Sequence, residues 1–177
     1  MNDTIHEVMK TICFARKNPV EVLNMKKKII VDSSCCMMSI ENLAEGIEFV
    51  KAPLKIMVGD KEFVDDENLD VAQMIDEMYA YPGKTSSACP SPEEYAAHFR
   101  EADECYVVTI ISTLSGSYNA AVQAADTFME ENPGKKAYIF NTLSAGPQQM
   151  FLNEKVMELA EQGLDFETIK EKALEYY

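Results

Sequence analysis

The chain has no tryptophan, only two histidines, and no apolar run approaching the ~18 residues that a membrane-spanning helix needs. The last absence excludes a helical span, and the N-terminus also lacks an apolar signal core followed by a small-residue cleavage site. Cationic residues are scarce: 16 Lys and Arg against 30 Asp and Glu leave a formal charge of -14. Such a field repels nucleic acid and anionic membrane surfaces, so neither is expected as a partner. Five cysteines, at 13, 35, 36, 89 and 105, are odd in number and form no C-x-x-C pair, which argues against a disulfide framework or a metal cluster. A reducing cytoplasm suits them, and neither metal nor cofactor is expected.

What is present is enough for one ordinary domain: 177 residues, 47% of them apolar, can bury about two thirds of the surface the unfolded chain exposes. Residues 1–24 show weak helical periodicity and are read as an extension, either a short docked helix or a stretch upstream of the natural start at Met25. From Lys26 onward strands and helices alternate, the pattern of a parallel sheet covered by helices.

Lys28 to Val31 reads as a strand and Ile40 to Val50 as a helix with Leu43, Ile47 and Val50 on one stripe. Leu54 to Val58 reads as a strand, with Gly59-Asp60 turning a hairpin back through Glu62 to Val64. Asp70 to Tyr79 reads as a helix stopped by Pro82-Gly83. Ser91, Pro92 and Glu94 form a capping box that starts the next helix and fixes Thr85 to Cys89 as loop. Cys105 to Ile111 is the most strand-like run and is expected at the centre of the sheet. A helix carrying Tyr118, Ala121, Val122, Ala125, Phe128 and Met129 follows, then a strand over 137–140, a helix over 148–162 and a last helix capped by Asp165. The chain ends inside that last helix, which leads to the expectation of further sequence beyond Tyr177.

Two stretches invite chemistry. Gly83-Lys84-Thr85 suggests a phosphate loop, but Met78 stands where its first glycine belongs, and a helix rather than a strand precedes it. Ser112-Thr113-Leu114-Ser115-Gly116-Ser117 lies between a buried strand and a helix start. There the crevice at the carboxyl ends of strands and the free N–H groups of a first turn favour an anion. Ser115 or Ser117 could equally serve as a plain helix cap. As a nucleophile Ser115 would need a base, and only His6 and His98 are available, with no G-x-S-x-G elbow. Asp32-Ser33-Ser34 also follows a strand. Asp32 could take part in a Mg2+ phosphoryl-transfer site, but no second acid follows at short spacing, and bonding within its own loop, beside a helix capped by Ser39, is the simpler reading.

Four motifs, Lys28-Ile29-Ile30-Val31-Asp32-Ser33-Ser34, Lys84-Thr85-Ser86 leading to Pro90-Ser91-Pro92-Glu93-Glu94-Tyr95, Leu114-Ser115-Gly116-Ser117-Tyr118-Asn119, and Asn141-Thr142-Leu143-Ser144-Ala145-Gly146, resemble in order and spacing those of the DegV family of fatty-acid-binding proteins. The resemblance covers residues 26–177 and implies the N-terminal domain of that family, a three-layer α/β/α fold with a mostly parallel sheet over 25–177, the second domain being absent. It implies a long-chain fatty acid as ligand, its carboxylate held by Thr85, Ser86 and Ser115 with Gly116 giving access to the backbone. Asp32, Ser33, Ser112 and Ser117 would line the pocket. It further implies a binder without catalysis of its own that presents the acid to a separate fatty-acid kinase. A domain alone would bind lipid weakly or associate with itself to cover the open half-tunnel. The alternative from the residues is a small serine hydrolase or phosphoryl-transfer domain using Ser115 or Asp32. The chain departs from the pattern in two inserted residues between Ser86 and Pro90 and in Asn141, where an aspartate is usual.

Overall fold

The computed structural model describes residues 25–35, 37, 40 and 43–177. In chain order these form β1 (Lys27–Asp32), β2 (Ile47–Ala52), β3 (Lys55–Val58), β4 (Lys61–Val64), α1 (Val71–Ala80), β5 (Ser86–Ala88), α2 (Pro92–Phe99), β6 (Glu104–Thr109), α3 (Ser117–Glu131), β7 (Lys136–Asn141), α4 (Pro147–Glu161) and α5 (Phe166–Tyr176). The expected extension over 1–24, His6 and the Ser39 cap lie outside the described residues.

The main sheet has the order β2-β1-β6-β7, and every neighbouring pair is parallel. Its two central strands are apolar and buried throughout their middle, as strands covered on both faces must be. Alternation sorts their side chains into two cores. Ile30, Cys105, Val107, Ala137 and Ile139 pack under α2 and α3 with Tyr95, Phe99 and Phe128. Ile29, Val31, Tyr106, Val108 and Phe140 pack under α4 and α5 with Leu152, Val156, Phe166 and Ile169. The result is the three-layer α/β/α architecture. Ala120, Ala121, Ala124 and Ala125 line the inner face of α3, where small side chains let the helix lie close to the sheet.

Two expected elements are replaced. The helix over Ile40 to Val50 is contradicted: Ile47–Ala52 is the edge strand β2, with Ile29 opposite Phe49. The stripe of Leu43, Ile47 and Val50 also fits an alternating strand, and short apolar runs are ambiguous by periodicity alone. Gly46, at φ +85°, and the β-branched and aromatic residues after it favour the extended form, which gives β1 a hydrogen-bonded neighbour. Likewise Thr85 to Cys89 is not all loop, since Ser86–Ala88 pairs antiparallel with β3 as an edge of the small β4-β3-β5 sheet. That pairing runs through the backbone, so no apolar alternation marks it in the sequence.

The remaining elements form where their punctuation places them. Asp70 caps α1 through Gln73 N–H, and Ser91 and Glu94 exchange side-chain and backbone bonds at the start of α2. Asp165 caps α5 through Thr168 N–H. None of the residues of α1 is buried, although Val71, Ile75, Met78 and Tyr79 are large and apolar.

Candidate functional site

In the order β2-β1-β6-β7 the chain moves from β1 to one side and resumes at β6 on the other. The loops leaving β1 and β6 therefore diverge, and a crevice opens between them at the carboxyl edge. Asp32 ends β1 at the floor of this crevice, fully buried. Its Oδ1 accepts from Ser34 Oγ at 2.5 Å and Gln149 Nε2 at 3.1 Å, and its Oδ2 from Ile110 N–H at 2.9 Å and Ser117 Oγ at 2.7 Å. Tyr95 Oη lies 2.7 Å from Ser117 Oγ. A hydroxyl has one proton and a carboxylate none. Ser117 therefore donates to Asp32, and Tyr95 donates to Ser117. Burial first, and then the charge of Asp32, push the Tyr95 phenol up from its ordinary value, which keeps it a donor.

The Ser-Gly loop is a tight turn in which Leu114 N–H and Ser115 N–H both donate to Ile111 O, at 3.1 and 3.3 Å. Ser115 Oγ accepts from Ser117 N–H at 3.2 Å. One of its lone pairs is thus committed to the helix start, while no acceptor among the described residues takes its proton. The hydroxyl of Ser115 braces the first turn of α3 and keeps a proton free to donate. Gly116 stands at the cap with no side chain, and a Cβ there would lie 3.2 Å from Cys89 Sγ. That contact brings the segment after β5 against the Ser-Gly loop. Thr85, Ser86 and Ser87 are exposed and their hydroxyls have no partner among the described residues. Ser87 lies opposite Ile56 and Ser86 opposite Met57, so these two serines face opposite sides of β5.

The other residues expected at the pocket are engaged. Ser33 Oγ accepts from Leu54 N–H at 2.9 Å, tying the end of β1 to the turn before β3. Ser112 is held by Asn141, whose Oδ1 accepts from Ser112 N–H at 3.2 Å and whose Nδ2 donates to Ser112 Oγ at 2.8 Å. An amide does both, so asparagine suits this position. Ile111 N–H donates to Ser144 O at 2.9 Å, joining the loop after β6 to the loop after β7. Ser117 is fully buried and faces Asp32, not the crevice.

Three members of this arrangement went unassigned from sequence: Ser34, Tyr95 and Gln149. Ser34 had a signal, its place beside Asp32 at a strand end, whereas Tyr95 and Gln149 arrive from distant helices. Gln149 Oε1 also accepts from Gly146 N–H at 2.9 Å, as a third-position glutamine does at a helix start.

Large apolar side chains are exposed on the loops at this edge. Leu114, next to Ser115, is 70% exposed and Leu143, after β7, is 68% exposed. Leu143, Gln148, Phe151, Tyr176 and Tyr177 line a cleft of about 590 Å³. His98 lies on α2, near its carboxyl end. Burial first, and then Lys28 near the amino end of β1, lower its pKa from the ordinary value. Lys28 and Asp32 are about 13 Å apart along a strand that rises about 3.3 Å per residue. Among the described residues no hydrogen bond joins His98 to Ser115, whose Oγ is bonded to Ser117 N–H. Among the described residues no cluster of three His, Cys, Asp or Glu could hold a metal ion. Burial pushes the Cys105 thiol up to about 12, which makes it unreactive. No described helix is long and apolar enough to cross a membrane.

Fold and site together define an open-sheet α/β binding domain, with hydroxyl donors and a helix start at its switch point and exposed leucines on two of its loops. The chain belongs to the DegV family, whose model, described as one of uncharacterised proteins, matches residues 26–177. It is 42% identical over 152 residues to a DegV domain-containing protein, spr0652, of Streptococcus pneumoniae, covering 86% of this chain and 54% of that one. Among solved structures it resembles the Streptococcus pneumoniae Fatty Acid Kinase (Fak) B3 protein loaded with linoleic acid, with TM-score 0.83, 42% identity and coverage of 86% and 54%. A DegV family protein from Eubacterium eligens loaded with heptadecanoic acid gives TM-score 0.78, 32% identity and coverage of 85% and 53%. One from Ruminococcus gnavus refined with vaccenic acid gives 0.75, 31%, and coverage of 86% and 55%. The chain spans about half the length of these relatives.

Proposed function

We propose that this chain binds the carboxylate end of a long-chain fatty acid. The observation that carries the reading is the Ser115 hydroxyl: a donor without an acceptor among the described residues, beside a helix start and next to exposed Leu114. Hydroxyl and N–H donors suit a carboxylate and exposed apolar side chains suit a hydrocarbon. Relatives at 42%, 32% and 31% identity were loaded or refined with three different fatty acids, which supports the same ligand class here.

In this reading Thr85 and Ser86 offer hydroxyls from the segment that meets Gly116 through Cys89. Gly116 keeps the approach to the first turn of α3 open, and Asp32, Ser33, Ser112 and Ser117 hold the loops. The chain is a binder, not an enzyme, and it presents the acid to a separate kinase in the cytoplasm. The name of the pneumococcal relative supports that partner. The relatives' other half, a second domain, would close over the acyl chain. Where it is lacking, the apolar residues of α1 support self-association. Delipidated protein should bind oleic acid, and a Thr85→Ala, Ser115→Ala double variant should bind it more weakly. Equal affinity of the two would sink the carboxylate assignment, and mass spectrometry of co-purified lipid containing no fatty acid would sink the ligand class.

A further inference from the structure

We infer that Asp32 is a positioning residue for the carboxylate site, setting the direction of the Ser115 donor without itself touching the ligand. The inference rests on the fatty-acid reading above and adds to it a residue that acts from beneath the site.

Asp32 is buried and all four of its bonds accept from different elements: the β1 loop through Ser34, the residue after β6 through Ile110 N–H, the first residue of α3 through Ser117, and the first turn of α4 through Gln149. Two of these flank the Ser-Gly loop. Ile110 is its entry and Ser117 its exit, and both attach to Oδ2. The loop between them is thus clamped at both ends on a single oxygen atom. Ser117, whose hydroxyl is fixed by Asp32, donates its N–H to Ser115 Oγ, which occupies one lone pair of Ser115, holds the oxygen in place and restricts its proton to the directions that remain. Tyr95 adds a second constraint by donating to Ser117 from α2. A site on three diverging loops would otherwise have no shared reference, and a buried carboxylate with only donors around it supplies one.

Asp32→Asn isolates this role, because it preserves shape and removes one acceptor. Each carboxyl oxygen faces two donors, so either orientation of the new amide turns its N–H2 toward a pair of them. Hydroxyls can rotate to accept, Ser34 donating instead to Gln149 Oε1 at 2.9 Å, but the Ile110 N–H cannot, and turning the Gln149 amide would give up the bonds its Oε1 accepts from Gly146 N–H and Ser34 Oγ.

The test compares oleic acid with oleyl alcohol, which share a hydrocarbon chain and differ in the carboxylate, on the full 177-residue protein by displacement of an environment-sensitive dye. The native chain should prefer the acid. Asp32→Asn should reduce that preference by about tenfold or more, the effect of one charge-assisted hydrogen bond falling out of line, with affinity for the alcohol changed less than about twofold. An unchanged preference in folded Asp32→Asn, with the native preference intact, overturns the positioning role and leaves the fatty-acid reading standing. Equal losses for acid and alcohol also overturn it, since they report a general structural effect. Absence of any acid preference in the native chain overturns the carboxylate reading and this inference with it. Should Asp32→Asn fail to fold, Ser117→Ala removes one clamp and leaves three donors on Asp32. It should lower the acid preference about three- to tenfold, and an unchanged preference there refutes the proposal.

Discussion

Replacing Ser115 by alanine separates two roles that meet in one atom. Its Oγ accepts Ser117 N–H at the start of α3, and loss of such an acceptor costs about 1 kcal/mol of stability. At 3.2 Å and partly exposed, the bond belongs at the lower end of that range. In the proposed site its proton donates to the carboxylate, and a hydrogen bond to a charged group is worth roughly 1.5–3 kcal/mol. At 1.4 kcal/mol per factor of ten, Ser115→Ala should weaken oleic acid binding roughly 10- to 150-fold while moving the unfolding midpoint only slightly. Ser115→Thr keeps both the lone pair and the proton and should restore most of the affinity. The assays are dye displacement by oleic acid and denaturant unfolding followed by circular dichroism, the chain having no tryptophan to report either. Unchanged binding in Ser115→Ala, with its stability lowered, would show that the hydroxyl is a helix brace alone, and the reasoning from its free proton would fail.

Ser91→Ala removes one half of the capping box of α2 and should cost about 1 kcal/mol in urea unfolding, without altering the acid-over-alcohol preference. Ile169→Ala, at a fully buried position of α5, should destabilise by about 2–5 kcal/mol, whereas Tyr79→Ala, 88% exposed on α1, should stay within about 0.5 kcal/mol in the same titration. The carboxyl of Glu94 is held below its ordinary value of 4.5 first by its hydrogen bond from Lys55 and then by Ser91 N–H. A depressed folded pKa contributes stability above 4.5 that is lost as pH falls through the folded value. Stability measured from pH 5 down should therefore fall less steeply in Lys55→Met than in the native chain. The difference should be small, because the pair is partly solvent-screened.

Read alone, the residues determined the class of the fold and most of its elements, because the signals for these are local. The capping box at Ser91 and Glu94, the caps at Asp70 and Asp165 and the apolar run through Tyr106 and Val107 each act within a few residues of themselves. The place of Ser115 was legible for the same reason, since a serine and a glycine between a buried strand and a helix start mark the loop that joins them. Tertiary structure decided what depends on pairing across distance. Ile47–Ala52 became a strand because β1 offered it a hydrogen-bonding edge, and Ser86–Ala88 became one because β3 did, 28 residues or more upstream in sequence. The same holds for Asp32. Its place at the end of a strand was visible, but Ile110, Ser117 and Gln149 stand 78, 85 and 117 residues away and reach it only once the sheet order is set. Local sequence can specify a donor, whereas the direction in which it is held depends on partners that only the folded chain brings within hydrogen-bonding reach.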